Sequence, residues 1–199
     1  VIKSFISDLS VMSVSERNDL VEDASTMFAN AMLAKVEDDV VGLFSGFSQT
    51  VAGAGTTMTL AHWYSCLRQI KAANGDLRTA SAVISPKQYY DAKGLRALLV
   101  DNSGESKLSE DFLNRGFVDN PFGIKVKISN EINEDVASGG DAAGGVFAKG
   151  AIGVHTKGLF GLEAERDASA RGFELVGVGR WKEVEIYNNW GIYFLSDVA

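Results

Sequence analysis

Between Ser13 and Phe47 the chain reads SVSERNDLVEDASTMFANAMLAKVEDDVVGLFSGF, with no proline and no glycine before Gly42. Such a stretch predicts one helix of about 30 residues, or about 45 Å at about 1.5 Å per residue, where globular helices average about 11 to 12 residues. Ser13 and Ser15 are N-cap candidates, and Glu16, Asp19, Glu22 and Asp23 place negative charge where the helix dipole favours it. Gly42 and Gly46 supply the stop.

The apolar residues of this helix change sides. At about 100° per residue, Leu20, Val21, Ala24, Met27, Phe28 and Ala31 share one side, and Leu33, Val36, Val40, Leu43, Phe44 and Phe47 centre about 150° further round. Lys35, Asp38 and Asp39 take over the first side in the second half. Each end is therefore expected to pack against a different body; the alternative is two shorter helices broken near Met32.

A chain of 199 residues, 46% hydrophobic and 23% charged, fits one large domain or two small ones with a real core. No run of about 18 apolar residues marks a transmembrane helix, and VIKSFISDLSV lacks the basic-then-apolar order of a signal peptide. The chain begins with Val rather than Met, which reads as a processed chain or a piece of a longer one. Cys66 is the single cysteine, which excludes an internal disulfide and reads as a small packed residue on a helix. A net charge of −7 and a pI near 4.9 argue against tight nucleic-acid binding. The charge is segregated: residues 1–50 hold three basic and eight acidic side chains (−5), and 51–100 hold six and two (+4). One copy's acidic part can in this way meet another copy's basic part.

Along the chain, Val1 to Val11 reads as a strand leading into the long helix. Ser48 to Thr59, SQTVAGAGTTMT, reads as a small-residue crossing, and its AGAGTT lacks the Gly-Lys-Ser/Thr ending of a phosphate loop. Leu60, Trp63, Tyr64, Leu67 and Ile70 space an amphipathic helix that Asn74-Gly75 ends. Thr79 to Ser85 is a short buried strand, and Ser85-Pro86 starts a third helix, PKQYYDAKGLRALLV. A polar loop follows from Asp101, with a short helix near Ser109 to Asn114, and then GIKVKIS alternates as a strand with one wet face. Ala137 to Gly145 is expected to be a flexible tip. The remainder reads as strands separated by glycines, with a charged turn around Glu165 to Arg171 and a last strand carrying Trp190, Ile192 and Phe194.

No catalytic constellation emerges. His62 and His155 stand alone, without a serine or carboxylate motif beside them. Glu37, Asp38 and Asp39 are consecutive on a helix and point in different directions, and Glu163 and Glu165 share a strand face as a solvated edge. One cysteine makes no thiolate zinc cluster, and Gly139-Gly140 and Gly144-Gly145 lack the strand-to-helix setting of a dinucleotide fingerprint. No catalytic, cofactor or metal residue is expected.

Five stretches, in this order, carry a resemblance. They are KSFISDLSVMSVSERNDLVEDASTMFANAMLAKVEDDVVGLFSGF, AVISPKQYYDAKGLRALLV, FGIKVKIS, VFAKGAIGVHTKGLFGLEAERDASARGFELVGVGRW and EIYNNWGIYFLSD. The chain resembles the major capsid protein of tailed bacteriophages, the Hong Kong 97 fold, in the form found in short-tailed phages. The resemblance implies an α+β fold with a long spine helix, a peripheral β-sheet and an axial α/β domain. Residues 1–47 and 154–199 would be peripheral and 48–153 axial. In the family an N-terminal arm and a long extended hairpin precede the first strand, and this sequence starts after that point.

The implied function is self-assembly into an icosahedral shell that encloses double-stranded DNA, with hexamers and pentamers of one chain, scaffolding and portal proteins as partners, and no membrane. The implied location is the virion, after assembly in the host cytoplasm. The polar loop, with Asp101, Asn102, Glu105, Lys107 and Arg115, corresponds to the family's loop near the five- and six-fold axes. The charged turn, with Glu163, Glu165, Arg166, Asp167 and Arg171, would lie where subunits meet around three-fold axes. These ten residues are the candidate assembly contacts. Two other readings stay open: an encapsulin-type nanocompartment shell, and a small α/β enzyme or ligand-binding domain with a cleft near Gly53 to Thr57.

Overall fold

A computed structural model describes residues 1–8, 17–103, 120–136, 140–158 and 161–197. Strand β1 (Ile2–Ser7) precedes helix α1 (Arg17–Gly42), which a 3₁₀ turn (Leu43–Gly46) extends. Then come β2 (Gln49–Thr57), α2 (Leu60–Ala72), β3 (Ser81–Ile84), α3 (Pro86–Tyr90) and α4 (Leu95–Ser103). The rest is mostly strands: β4 (Lys125–Ile128), β5 (Asp141–Phe147), β6 (Ile152–Thr156), β7 (Gly161–Asp167), β8 (Gly172–Val178), β9 (Trp181–Glu185) and β10 (Gly191–Asp197). Contacts divide the chain into two units, 1–37 with 154–183 and 38–153 with 184–199.

Helix α1 runs unbroken for 26 residues, through Met32. The expected caps Ser13 and Ser15 lie outside the described residues. The division between units falls inside the helix, after Glu37. Val40 and Val41 join Phe44 and Phe47 in a buried cluster, whereas Met27 (70%) and Leu33 (56%) stay exposed. Of the two sides expected to pack against different bodies, the second is buried at Phe44 and Phe47 but exposed at Leu33, and the first is exposed at Met27. Periodicity identifies which residues share a side but not whether the same chain covers them.

In the first unit, β1, β8 and β7 form an antiparallel sheet in that order. Leu175, on the central strand, is fully buried. The β7–β8 turn is tied by the Asp167 carboxylate, whose Oδ1 accepts bonds from the Ser169 N–H (2.8 Å), the Ser169 hydroxyl (2.5 Å) and the Ala170 N–H (3.1 Å). The charged turn is therefore shorter than expected, because Glu165 and Arg166 belong to β7.

The second unit holds a five-stranded sheet, ordered β2-β10-β5-β3-β4, in which β10 runs parallel to β2 and antiparallel to β5. On one face, Trp63, Cys66 and Ile70 of α2 pack with Ile84, Val126, Val146, Ile192 and Phe194. Trp63 is sandwiched, with ring centroids 5.2 Å from Phe194 and 5.5 Å from Phe122. On the other face lie Phe44, Phe47 and Phe147, with the Phe44 and Phe147 centroids 5.6 Å apart. Helix α2 starts at the expected place, where Thr59 Oγ1 accepts a bond from the His62 N–H. Ser85 and Gln88 close a capping box at Pro86.

Four expectations need correction here. The crossing at Ser48 to Thr59 is strand β2, held by β10 and bent where Ala52 (φ 63°) and Gly55 (φ 69°) leave the extended region. The flexible tip becomes, from Asp141 on, the central strand β5; residues 137–139 lie outside the described set. Glycines suit this strand because a Cβ at Gly144 would sit 2.8 Å from the Val83 carbonyl oxygen. The third helix is two, α3 and α4, because the chain turns at Asp91–Gly94, where Gly94 N–H bonds the Asp91 carbonyl. Strand β10, expected with the peripheral strands, pairs instead with β2 and β5, since Ile192, Phe194 and Ser196 alternate into the core of the second unit.

Candidate assembly surfaces

Strand β7 lies at the edge of its sheet, and six of its seven residues are exposed. Cross-strand pairing sets which side chains share a face. Glu165 lies opposite Glu174, which lies opposite Phe5, and Glu163 lies opposite Val176, which lies opposite Lys3. One face therefore carries Glu163, Glu165 and Glu174 with one cation, Lys3, whose ammonium reaches the Glu174 carboxylate at 2.6 Å. That bond, and then the Glu174 charge, hold the Lys3 pKa above the usual lysine value.

The other candidates in this region make bonds within the chain. Arg166 points to the opposite face, 5.5 Å from the Phe173 ring centroid and 3.4 Å from Asp8 Oδ2. Asp167 caps the turn; the Ser169 hydroxyl, then the Ala170 and Ser169 N–H groups, push its pKa down. Arg171, exposed with φ 50°, accepts the Asp8 N–H through its carbonyl at 2.8 Å. Glu163 and Glu165 are the two that face solvent alongside each other.

Of the second group, Asp101 and Asn102 sit in the last turn of α4 rather than in a loop, because the helical hydrogen bonding of Leu95 onward continues to Ser103. Glu105, Lys107 and Arg115 lie outside the described residues. Sequence reasoning recognised the wet face of β4 but did not count it as a contact. Lys125 and Lys127 stand side by side there, exposed on an edge strand, while Ile124 and Val126 are buried.

Away from these surfaces the single cysteine, Cys66, serves packing on α2. Burial pushes the Cys66 thiol up to about 12, far from a reactive thiolate. His155 is exposed on β6, and among the described residues no group of three or more His, Cys, Asp or Glu side chains could hold a metal ion. Gly53 to Thr57, the expected cleft, is edge strand, and the Gly55 N–H there donates to Asp141 Oδ1 at 2.7 Å. An open recess of about 590 Å³ lies instead at the start of β2, lined by Gln49, Thr50, Gln69, Ala72, Ala73 and Asn189, without a charged side chain. Among the described residues no helix is long and apolar enough to cross a membrane.

The described residues thus form an α+β chain with one long helix and three sheets, of three (β1-β8-β7), five (β2-β10-β5-β3-β4) and two strands (β6-β9). Residues 6–185 match the family described as phage capsid protein, and the chain belongs to that family. No individually curated protein matches its sequence. Among solved structures it is similar to one from Mycobacterium phage Che8, at 14% identity over 97% of this chain and 68% of that one, with a TM-score of 0.71. It is also similar to the capsid structure of cyanophage P-SCSP1u, at 18% identity over 98% and 71%, with a TM-score of 0.72. A holo-encapsulin complex from Synechococcus elongatus aligns at 12% identity over 100% and 74%, with a TM-score of 0.56. The fold is the Hong Kong 97-like capsid fold, and the protein is a structural capsid protein that works as an oligomeric shell and forms part of the virion.

Proposed function

We propose that this chain is the major capsid subunit of a tailed phage and closes, as hexamers and pentamers, an icosahedral shell around a double-stranded DNA genome. The observation that carries this is the match to the capsid family over residues 6–185. In this reading the unit built on the β1-β8-β7 sheet is peripheral and the unit built on the five-stranded sheet is axial. The role is structural rather than enzymatic. Scaffolding and portal proteins assist assembly in the host cytoplasm, and the candidate contacts Asp101 to Arg115 and Glu163 to Arg171 meet other copies.

Many weak contacts repeated by symmetry supply the stability of such a shell, through apolar burial and complementary charge. The net charge of −7 leaves packed DNA loosely held, so that it moves during packaging. Electron microscopy of the purified full-length product tests the reading: closed polyhedral particles containing DNA are expected, and a protein that stays monomeric at high concentration overturns it. Likeness to an encapsulin favours a second reading, a nanocompartment shell. Particles filled with protein cargo and free of DNA would select it.

A further inference from the structure

Strands β7 and β4 are both sheet edges among the described residues. Each alternates with the same period and opposite charge. On β7, Glu163 and Glu165 share one face and Leu162 and Ala164 the other; on β4, Lys125 and Lys127 share one face, and Val126 and Ile128 the other. Lys125, Lys127 and Glu163 have no ion-pair partner among the described residues. Edge strands carry such charges because an unpaired row of N–H and C=O groups invites a second strand.

We infer that β7 of one copy pairs edge to edge with β4 of a neighbouring copy, a contact that rests on the shell reading above and names the surfaces that meet. In an antiparallel register, Glu163 faces Lys127 and Glu165 faces Lys125. The residues between them then match as well, with Ala164 opposite Val126 and Leu162 opposite Ile128. Leu162 is 42% exposed, and this pairing covers it. Opposite charges directly across a strand pair are favourable and like charges are not. Two β7 edges would set glutamate against glutamate, and two β4 edges lysine against lysine. The charges that keep each edge from pairing with itself thus select the other edge. Since the two surfaces differ, the contact is head to tail, the kind that closes rings when its rotation permits.

The test is a charge swap in the full-length protein. Glu163→Lys with Glu165→Lys is expected to lower particle yield about tenfold or more, as is Lys125→Glu with Lys127→Glu, while each keeps the wild-type melting temperature. All four substitutions together are expected to restore particles. Normal yield from either reversed pair, or no recovery in the fourfold variant, overturns the inference. A second measurement does not depend on shells. Glu163→Cys protein mixed with Lys127→Cys protein is expected to give a disulfide-linked heterodimer under mild oxidation, without competition from the buried Cys66. Cross-linking without wild-type shells leaves the edge pairing standing and sinks the shell reading; absence of cross-linking sinks the pairing even where shells form.

Discussion

The ring of Phe44 lies so close to Gly145 that a Cβ built on the glycine would sit 2.7 Å from Phe44 Cδ2. The central strand of the five-stranded sheet has no room there for a side chain, and the aromatic cluster beneath the end of α1 takes that space. Gly145→Ala is expected to cost about 1–3 kcal/mol through overpacking, which in a chain of this size lowers the melting temperature by about 2–4 °C per kcal/mol. Gly42→Ala is the control: nothing lies within 4 Å of its would-be Cβ and its φ is −56°. That change should leave the protein as stable or raise stability by about 0.4–1 kcal/mol. Equal effects at the two glycines in calorimetry would contradict the packing argument.

Gln88 is wholly buried, and each end of its amide is bonded. Its Oε1 accepts the Ser85 N–H at 3.1 Å, and its Nε2 donates to the Ala142 carbonyl at 2.8 Å and the Ser196 hydroxyl at 2.9 Å. One side chain thereby links a helix start to β5 and β10. Gln88→Leu leaves these partners buried and unpaired, at about 1–3 kcal/mol for each group left unsatisfied. Ser85→Ala, which removes only the cap, should cost about 0.5–2 kcal/mol. Denaturant melts rank the two, and a Gln88→Leu protein as stable as Ser85→Ala would refute the linking role.

The Asp167 carboxyl should titrate below the usual carboxylate range, because its charged form accepts the Ser169 hydroxyl and two backbone N–H groups. Its folded pKa is depressed, so the stabilising contribution is full above the unfolded pKa and is lost as pH falls through the folded one. Carboxyl NMR titration measures the midpoint directly. Ser169→Ala should move it upward, toward the ordinary carboxylate range; an unmoved midpoint would mean that the hydroxyl is not the main cause.

Cys66 should resist thiol reagents in the native protein. It is fully buried and its pKa is pushed up to about 12, so thiolate is scarce at neutral pH. Labelling at pH 8 should be slow and should speed up along the denaturant unfolding curve. Fast native labelling would show that α2 opens locally.

Where a signal is local, the sequence is legible. Thr59, Ser85-Pro86 and Asn74-Gly75 bound their helices because capping and turning are decided within a few residues. The alternation of β4 is read as easily, since Lys125 and Lys127 against Val126 requires only the period of a strand. Strands β2 and β5 escape reading because glycine and alanine carry little strand preference of their own. Their conformation comes from β10, whose Ile192 pairs with Gln49 on one side and Val146 on the other. The same holds for the assembly surface. The spacing of Glu163 and Glu165 shows that they share a face, but Arg166 meets Asp8 across 158 positions of sequence, beyond any local pattern.

The position of β10 also sets an order in time. Among the described residues β2 has no other strand neighbour, and its residue Gln49 must wait for Ile192 (192 − 49 = 143 positions later) before its backbone is paired. During synthesis the sheet therefore stays open until that late strand has emerged, and contacts of such long range slow the folding that follows. A chain that ends before β10 lacks the strand that pairs with β2 and cannot complete the five-stranded sheet, which makes the final strand the one that closes the fold.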